Sequence, residues 1–373
     1  MTSPEGLLAT PFSSRFEDRV EQWADAFGCA VPVELDGAAQ EYEAIRTTAG
    51  ASDYSVLYKW HVEGPDAVAV VDALFSRDLS ALPPGRLMYG VVVTAEGAML
   101  DDVTVVVLGP GHVVITGGNP ALREQLAARL PARTTLTERR EDVAVLSLQG
   151  PRSREILQRL TEQDISREAF PYYTLREDVP LAGISARVSR VGFTAELGYE
   201  VEVDREHAPA LWDAVFEAGA DFGMRAFGMA ALMMCRIEAG MIMAELDYDR
   251  TVTPFECRMG WTVDLGKASF QGRDALLAKK GTVRDRLVSV VVDAGPEAAE
   301  GARLELGGRD IGRLNMTVPS PHLGGATLGL ARIDLDAAKA DSALTAVTTT
   351  GARVAATVRT TPVYDPERVR VRA

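Results

Sequence analysis

Cysteine and histidine are scarce in this chain, three and four residues among 373. Cys29, Cys235 and Cys257 are odd in number, far apart and in no CxxC arrangement, which excludes a disulfide framework and a zinc knuckle. His61, His112, His207 and His322 fall in unrelated contexts, and two adjacent aspartates do not supply the six or so oxygens of a calcium site, so no metal centre is expected. Basic residues are outnumbered, 39 Lys and Arg against 53 Asp and Glu. The net charge of -14 lacks the positive surface that counterion release from nucleic acid requires, and an anionic ligand would need a locally basic pocket. No run of about 18 apolar residues is present, and the N-terminus has no basic region followed by an apolar one. No membrane span is expected, and the chain reads as cytoplasmic.

The familiar nucleotide and hydrolase signatures are missing too. No GxGxxG follows a strand, and neither GxSxG nor HExxH occurs. The stretch "GWTVDLGKAS" is a near miss for a phosphate loop, but five residues separate Gly260 from Gly266, and Ala268 stands where a metal-binding hydroxyl belongs.

What is present is a pattern of strands and helices that repeats. "YKWHVEG" reads as a strand, Gly64-Pro65-Asp66 opens a helix, strands follow near 89–95, 102–108 and 112–117, and "NPALREQLAARL" reads as a helix. Residues 62–80 align without gaps on 148–166 at an offset of 86, with Gly64-Pro65 on Gly150-Pro151 and Asp78-Leu79-Ser80 on Asp164-Ile165-Ser166. Further on, Thr94-Ala95-Glu96 matches Thr194-Ala195-Glu196, and each precedes a strand opened by an acid. This second match predicts that Asp102 and Glu200 hold equivalent positions. After "AKKGTVRDR" the chain turns to short alternating runs with Gly-rich turns, the signature of a small antiparallel barrel. The expected fold is α+β: a first repeat over 1–142, a second over 143–280 sharing one site with it, and a C-terminal β barrel over 281–373.

Two charged features stand out. Arg236 and Glu238 lie inside the apolar "GMAALMMCRIEAGMIM", where charges are expected to be paired. Asp101 and Asp102 stand together at the mouth of "MLDDVTVVV". Alternation sends Asp101 to the side of Val103, Val105 and Val107, and Asp102 to the side of Thr104 and Val106.

Six landmarks in order carry a resemblance: "GRLMYGVVVTAEGAMLDDV", "LQGPRS", "SRVGFTAELGYEVEV", "FGMAALMMCRIEAG", "TPFECRMGWTVDLGKASFQGRDAL" and "SPHLGGATLGLARI". Along nearly its whole length the chain resembles the glycine-cleavage T-protein (aminomethyltransferase) superfamily. The resemblance implies two pseudo-repeated α+β domains around a central channel that holds tetrahydrofolate, with a barrel behind them. It puts the catalytic acid at Asp102, beside the reactive edge of the folate, and makes Glu200 the grip on the pterin. Tyr89, Tyr173 and Phe193 become the pterin wall. Phe193 replaces the tyrosine that amine-handling members have in "GYTGE", and Leu232 replaces an arginine that helps bind folate. Val56, in Asp53-Tyr54-Ser55-Val56-Leu57, takes the place of a histidine.

These losses make the donor pocket more apolar and point to the demethylase-like branches, which move a methyl from a small O-, N- or S-methylated donor to tetrahydrofolate. The acid that protonates the donor heteroatom is not named by the pattern; Tyr58, His61 and Tyr248 are the candidates. Two other readings stay open: aminomethyl transfer from a lipoylated carrier protein, and a folate-binding scaffold without turnover.

Overall fold

The structure is a computed structural model and describes residues 6–373. Three short strands come first, β1 (Leu8–Ala9), β2 (Trp23–Ala26) and β3 (Cys29–Pro32), and form a small sheet of their own. Helix α1 (Ala38–Thr47) and strand β4 (Gly50–Asp53) follow. The first unit then runs β5 (Tyr58–Glu63), α2 (Ala67–Asp72), β6 (Leu87–Val93), β7 (Met99–Gly109), β8 (His112–Gly117), α3 (Ala121–Ala127) and β9 (Thr135–Glu138). The second runs β10 (Val143–Gln149), α4 (Ser153–Gln158), β11 (Leu175–Leu181), β12 (Ile184–Ser189), β13 (Gly198–Asp204), α5 (Ala208–Gly219) and β14 (Arg225–Ala226). Helices α6 (Met229–Glu238) and α7 (Arg273–Lys279) lead to the last part. It comprises β15 (Asp285–Val292), α8 (Pro296–Ala299), β16 (Arg303–Leu306), β17 (Arg309–Ser320), β18 (Ala326–Asp334), β19 (Ala343–Val347) and β20 (Arg353–Arg359).

The sheet of the first unit has the order β6-β7-β8-β5-β9, and that of the second β11-β12-β13-β10-β4-β14, so five positions correspond. Gly64 and Gly150 follow β5 and β10 with φ of 138° and 127°, a region open to glycine. A Cβ at either would strike the backbone just before the strand that flanks it, β9 or β4. The fifth strands are supplied from different sides: β9 follows its own unit, whereas β4 precedes the first unit and pairs with β10 of the second. Each sheet buries one face under its helices, with Trp60, Val103 and Val105 in one core and Leu146, Val201 and Trp212 in the other. The six strands β15-β18-β17-β16-β19-β20 close into the expected antiparallel barrel.

The sheet order overturns one expectation. Asp102 lies on β7, second in its meander, and Glu200 on β13, third in its own. Glu200 faces Ser147, whose counterpart at the offset of 86 is His61, and His61 faces Val114. Val114, not Asp102, is therefore the counterpart of Glu200. The shared Thr-Ala-Glu turn joins β6 to β7 in one unit and β12 to β13 in the other, so equal turns introduce different strands.

Candidate active site

The open faces of the two sheets, α6 and the segment after the barrel enclose one cavity of 470 Å³. That size suits a small organic ligand. Asp102, Tyr89, Tyr173, Phe193 and Glu200 all line it.

Strand β7 separates the two aspartates as alternation requires. Asp101 is buried; its Oδ2 accepts the N–H groups of Gly118 and Asn119, both at 3.0 Å, and so ties down the turn after β8. Asp102 turns to the cavity, where the Tyr89 hydroxyl donates to its Oδ2 at 2.7 Å and the Tyr248 hydroxyl to its Oδ1. Burial pushes the Asp102 carboxyl above the usual carboxylate range, and the two hydroxyls pull it back. Tyr248 does not line the cavity; it braces Asp102 from behind.

Glu200 sits on β13 between Ser147 and Ser189. Burial raises its carboxyl to about 7, with Lys59 opposing and Glu202 adding to the shift. Lys59 donates to the carbonyls of Ser55 and Leu57 at 3.3 and 2.8 Å, and Glu202 is paired with Arg187 at 2.6 Å. The Glu200 carboxylate has no hydrogen-bond partner among the described residues, whereas its charged neighbours are committed. The buried hydroxyls of Tyr54, on the cavity wall, and Ser147 lie next to each other beside it. Glu200 thus presents an uncommitted carboxylate to the cavity.

The aromatic wall is built by three segments. Tyr173 has a left-handed φ of 63° and meets the Tyr172 ring edge-on at 4.5 Å. Its carbonyl accepts the Leu87 N–H at 3.0 Å, which locks the loop to β6. Trp261, half exposed, lies 6.1 Å from the Tyr89 ring, and the Arg368 guanidinium covers it at 5.4 Å.

Two of the donor-side candidates lie elsewhere. Tyr58 stacks on Trp60 at 5.3 Å beneath the Arg140 guanidinium and does not line the cavity. His61 pairs its Nδ1 with His112 Nε2 at 2.9 Å, also off the cavity. Burial and the nearby Arg187 charge push its imidazole down to about 3, which leaves it no proton to give at neutral pH.

The charges of α6 are paired as expected. Arg236 meets Asp247 at 2.5 Å, and Glu238 takes Arg46 at 2.9 Å, the Tyr42 hydroxyl at 2.8 Å and the Ser320 hydroxyl at 2.7 Å. Sequence reasoning missed Tyr54, Tyr172, Trp261 and Arg368. Trp261 stood within the stretch dismissed as a phosphate loop, where an aromatic flanked by glycine was the available signal. The others carried none.

Residues 14–267 match the family described as the GCVT N-terminal domain, and residues 286–365 the glycine cleavage T-protein C-terminal barrel domain. An aminomethyltransferase of Geobacillus sp. (strain WCH70) is 31% identical over 364 residues, spanning 96% of this chain and 99% of its own. A trimethylamine-oxide aldolase of Ruegeria pomeroyi is 32% identical over 385 residues, which is 99% of this chain and 48% of that protein, so the chain spans about half its length. Among solved structures, the glycine cleavage system aminomethyltransferase T of Bartonella henselae superposes with a TM-score of 0.86 at 22% identity, covering 96% and 98% of the two chains.

Proposed function

From the premise that the chain belongs to the glycine cleavage T-protein family, we propose that it is a tetrahydrofolate-dependent one-carbon transferase that takes a methyl group from a small methylated donor. The observation that carries the reading is the contrast between two carboxylates of the cavity lining: Glu200 has no side-chain hydrogen-bond partner among the described residues, and Asp102 is held between two tyrosine hydroxyls.

The lining fits the pterin. Its amino-pyrimidone edge offers adjacent N–H donors, and Glu200 accepts them as charge-assisted bonds, with the Tyr54 hydroxyl beside it. Tyr89, Tyr173 and Phe193 supply the flat apolar wall. When bound, tetrahydrofolate supplies a nucleophilic N5, so that R–X–CH3 gives R–XH, the proton of N5 balances the new X–H bond, and no oxidant is consumed. Asp102 takes up or relays that proton; its raised carboxyl suits a group that must carry a proton and release it. Two fixed hydroxyls hold the acid in one orientation, and much of the rate gain in such transfers is positional.

Aminomethyl transfer from a lipoylated carrier is the second reading, favoured by the near full-length match to an aminomethyltransferase. Against it stand Val56 and Leu232, apolar side chains on the cavity wall in place of polar ones. A scaffold without turnover would need Glu200 but not Asp102. The test is formation of 5-methyltetrahydrofolate from a panel of methylated donors, with ammonia release from an aminomethyl-loaded carrier measured alongside. Asp102→Asn is expected to fold, to bind tetrahydrofolate and to lose turnover by about 10²–10⁴. Full activity in that variant would remove Asp102 from the chemistry.

A further inference from the structure

One end of the cavity differs from the rest. The β2–β3 hairpin, the turn before β5 and the start of α6 meet there and contribute Phe27, Val31, Val56, Leu57, Met229 and Leu232 to the lining. Val31 and Val56 belong to one apolar cluster against which Leu57 and Met229 pack. Phe27 is fixed at the hairpin tip with a left-handed φ of 55°, a conformation that a bulky non-glycine residue rarely adopts. Three contacts hold it there. The Asp25 carboxylate accepts the Gly28 N–H at 2.8 Å, Arg140 Nη2 donates to the Phe27 carbonyl at 2.7 Å, and the ring lies on Gly118, where a Cβ would come within 2.6 Å of it. Phe27 remains 37% exposed despite this fixing.

Cations that a substrate carboxylate would need are committed. Lys59 gives its Nζ to the Ser55 and Leu57 carbonyls and faces the charges of Glu200, Glu202 and Asp53. Arg140 bonds the Phe27 carbonyl and the Cys29 sulfur. Arg140 does not line the cavity, and the basic residues that line it besides Lys59, namely Arg187, Arg258 and Arg368, stand on β12, the 251–260 loop and the segment after the barrel, not on the elements of this chamber.

We propose that this chamber selects the donor: it takes a methylated compound with an apolar, aryl-sized body and no carboxylate, seated against Phe27. The inference rests on the one-carbon transfer reading and narrows its donor. A flat ring on Phe27 gains area burial and an aromatic pairing, whereas a carboxylated donor would lose its hydration for no partner.

The matched probes are N,N-dimethylbenzylamine and N,N-dimethylglycine, which share a methylated nitrogen and differ in phenyl against carboxylate. Each is titrated calorimetrically into the full chain, with and without tetrahydrofolate. The benzylamine is expected to bind at least about tenfold more tightly, and Phe27→Ala to weaken it about tenfold while leaving tetrahydrofolate affinity unchanged. Met229→Lys, or Leu57→Lys should the first variant not fold, is expected to tighten dimethylglycine about tenfold by giving its carboxylate a partner. Equal or tighter binding of dimethylglycine to the unaltered protein, or binding of neither, overturns the proposal. Absence of tetrahydrofolate binding would instead overturn the transferase reading, and the amine pair still decides the chamber.

Discussion

Tyr248 holds Asp102 at two points: its hydroxyl donates to the carboxylate Oδ1 and accepts the Asp102 backbone N–H at 3.2 Å. A side chain outside the cavity thereby fixes both the rotamer and the proton affinity of one inside it. Hydrogen bonds to charged groups are worth about 1.5–3 kcal/mol. Removing this one in Tyr248→Phe raises the Asp102 carboxyl further, since the hydroxyl stabilises its charged form. The acid limb of the pH–rate profile is expected to move to higher pH, with tetrahydrofolate affinity unchanged; an unmoved limb would show that Asp102 does not titrate in the rate.

Glu200 sets a pH dependence of binding. Only the ionised carboxylate accepts the pterin N–H groups, and its carboxyl lies at about 7. Tetrahydrofolate affinity is expected to weaken about tenfold for each pH unit below that value and to level off above it. Glu200→Gln should bind weakly at every pH, without the slope, as calorimetry at pH 5.5, 6.5 and 8 would read.

The same raised carboxyl has the opposite sign for stability. The folded state holds its proton to higher pH than the unfolded chain, so unliganded stability falls as pH rises from about 4.5 to about 7. Unliganded Glu200→Gln is expected to melt above the unaltered protein at pH 8 and level with it at pH 4.5.

Arg46 is the hub of a buried ion cluster. Its guanidinium meets Glu196 at 3.2 Å and Glu238 at 2.9 Å, and lies 3.7 Å from the Tyr364 ring centroid. Arg46→Met strips a counter-charge from two buried carboxylates at once. The expected loss is about 3–5 kcal/mol in urea unfolding. The double variant Arg46→Met with Glu238→Gln should recover part of it.

Gly150 has no room for a side chain: a Cβ would sit 2.6 Å from the Thr48 carbonyl and 2.9 Å from that of Ile45. With φ at 127°, Gly150→Ala is expected to cost more than about 1 kcal/mol and to loosen β4 from β10. Hydrogen exchange at residues 50–53 is the local readout.

Much of this was legible in the residues, for identifiable reasons. Period-2 alternation separated Asp101 from Asp102, because a strand with one face in a core has no freedom to exchange them. The gapless offset of 86 reflected a shared physical demand, a glycine at positive φ followed by a helix start. The hairpins carried no such demand: an equal Thr-Ala-Glu turn serves any adjacent pair of antiparallel strands, so it misassigned Glu200 to the counterpart of Asp102. Tyr58 and His61 looked equivalent to Tyr248 as polar groups of unknown direction. None of the three lines the cavity; the packing of Tyr58 on Trp60 and of His61 on His112 turns those two away, whereas Tyr248 reaches Asp102. The pairing of β4 with a strand about 90 residues away left no local trace.

That pairing has a consequence for how the chain is made. As the polypeptide leaves the ribosome, β4 emerges before any strand it can join, and the whole first unit follows while it waits. The second sheet is complete only when 143–226 arrive, β10 pairing with one edge of β4 and β14 with the other. A cut between residues 142 and 143 would part β4 from its partner, so the two halves depend on one another like interlocked links rather than neighbours on a string.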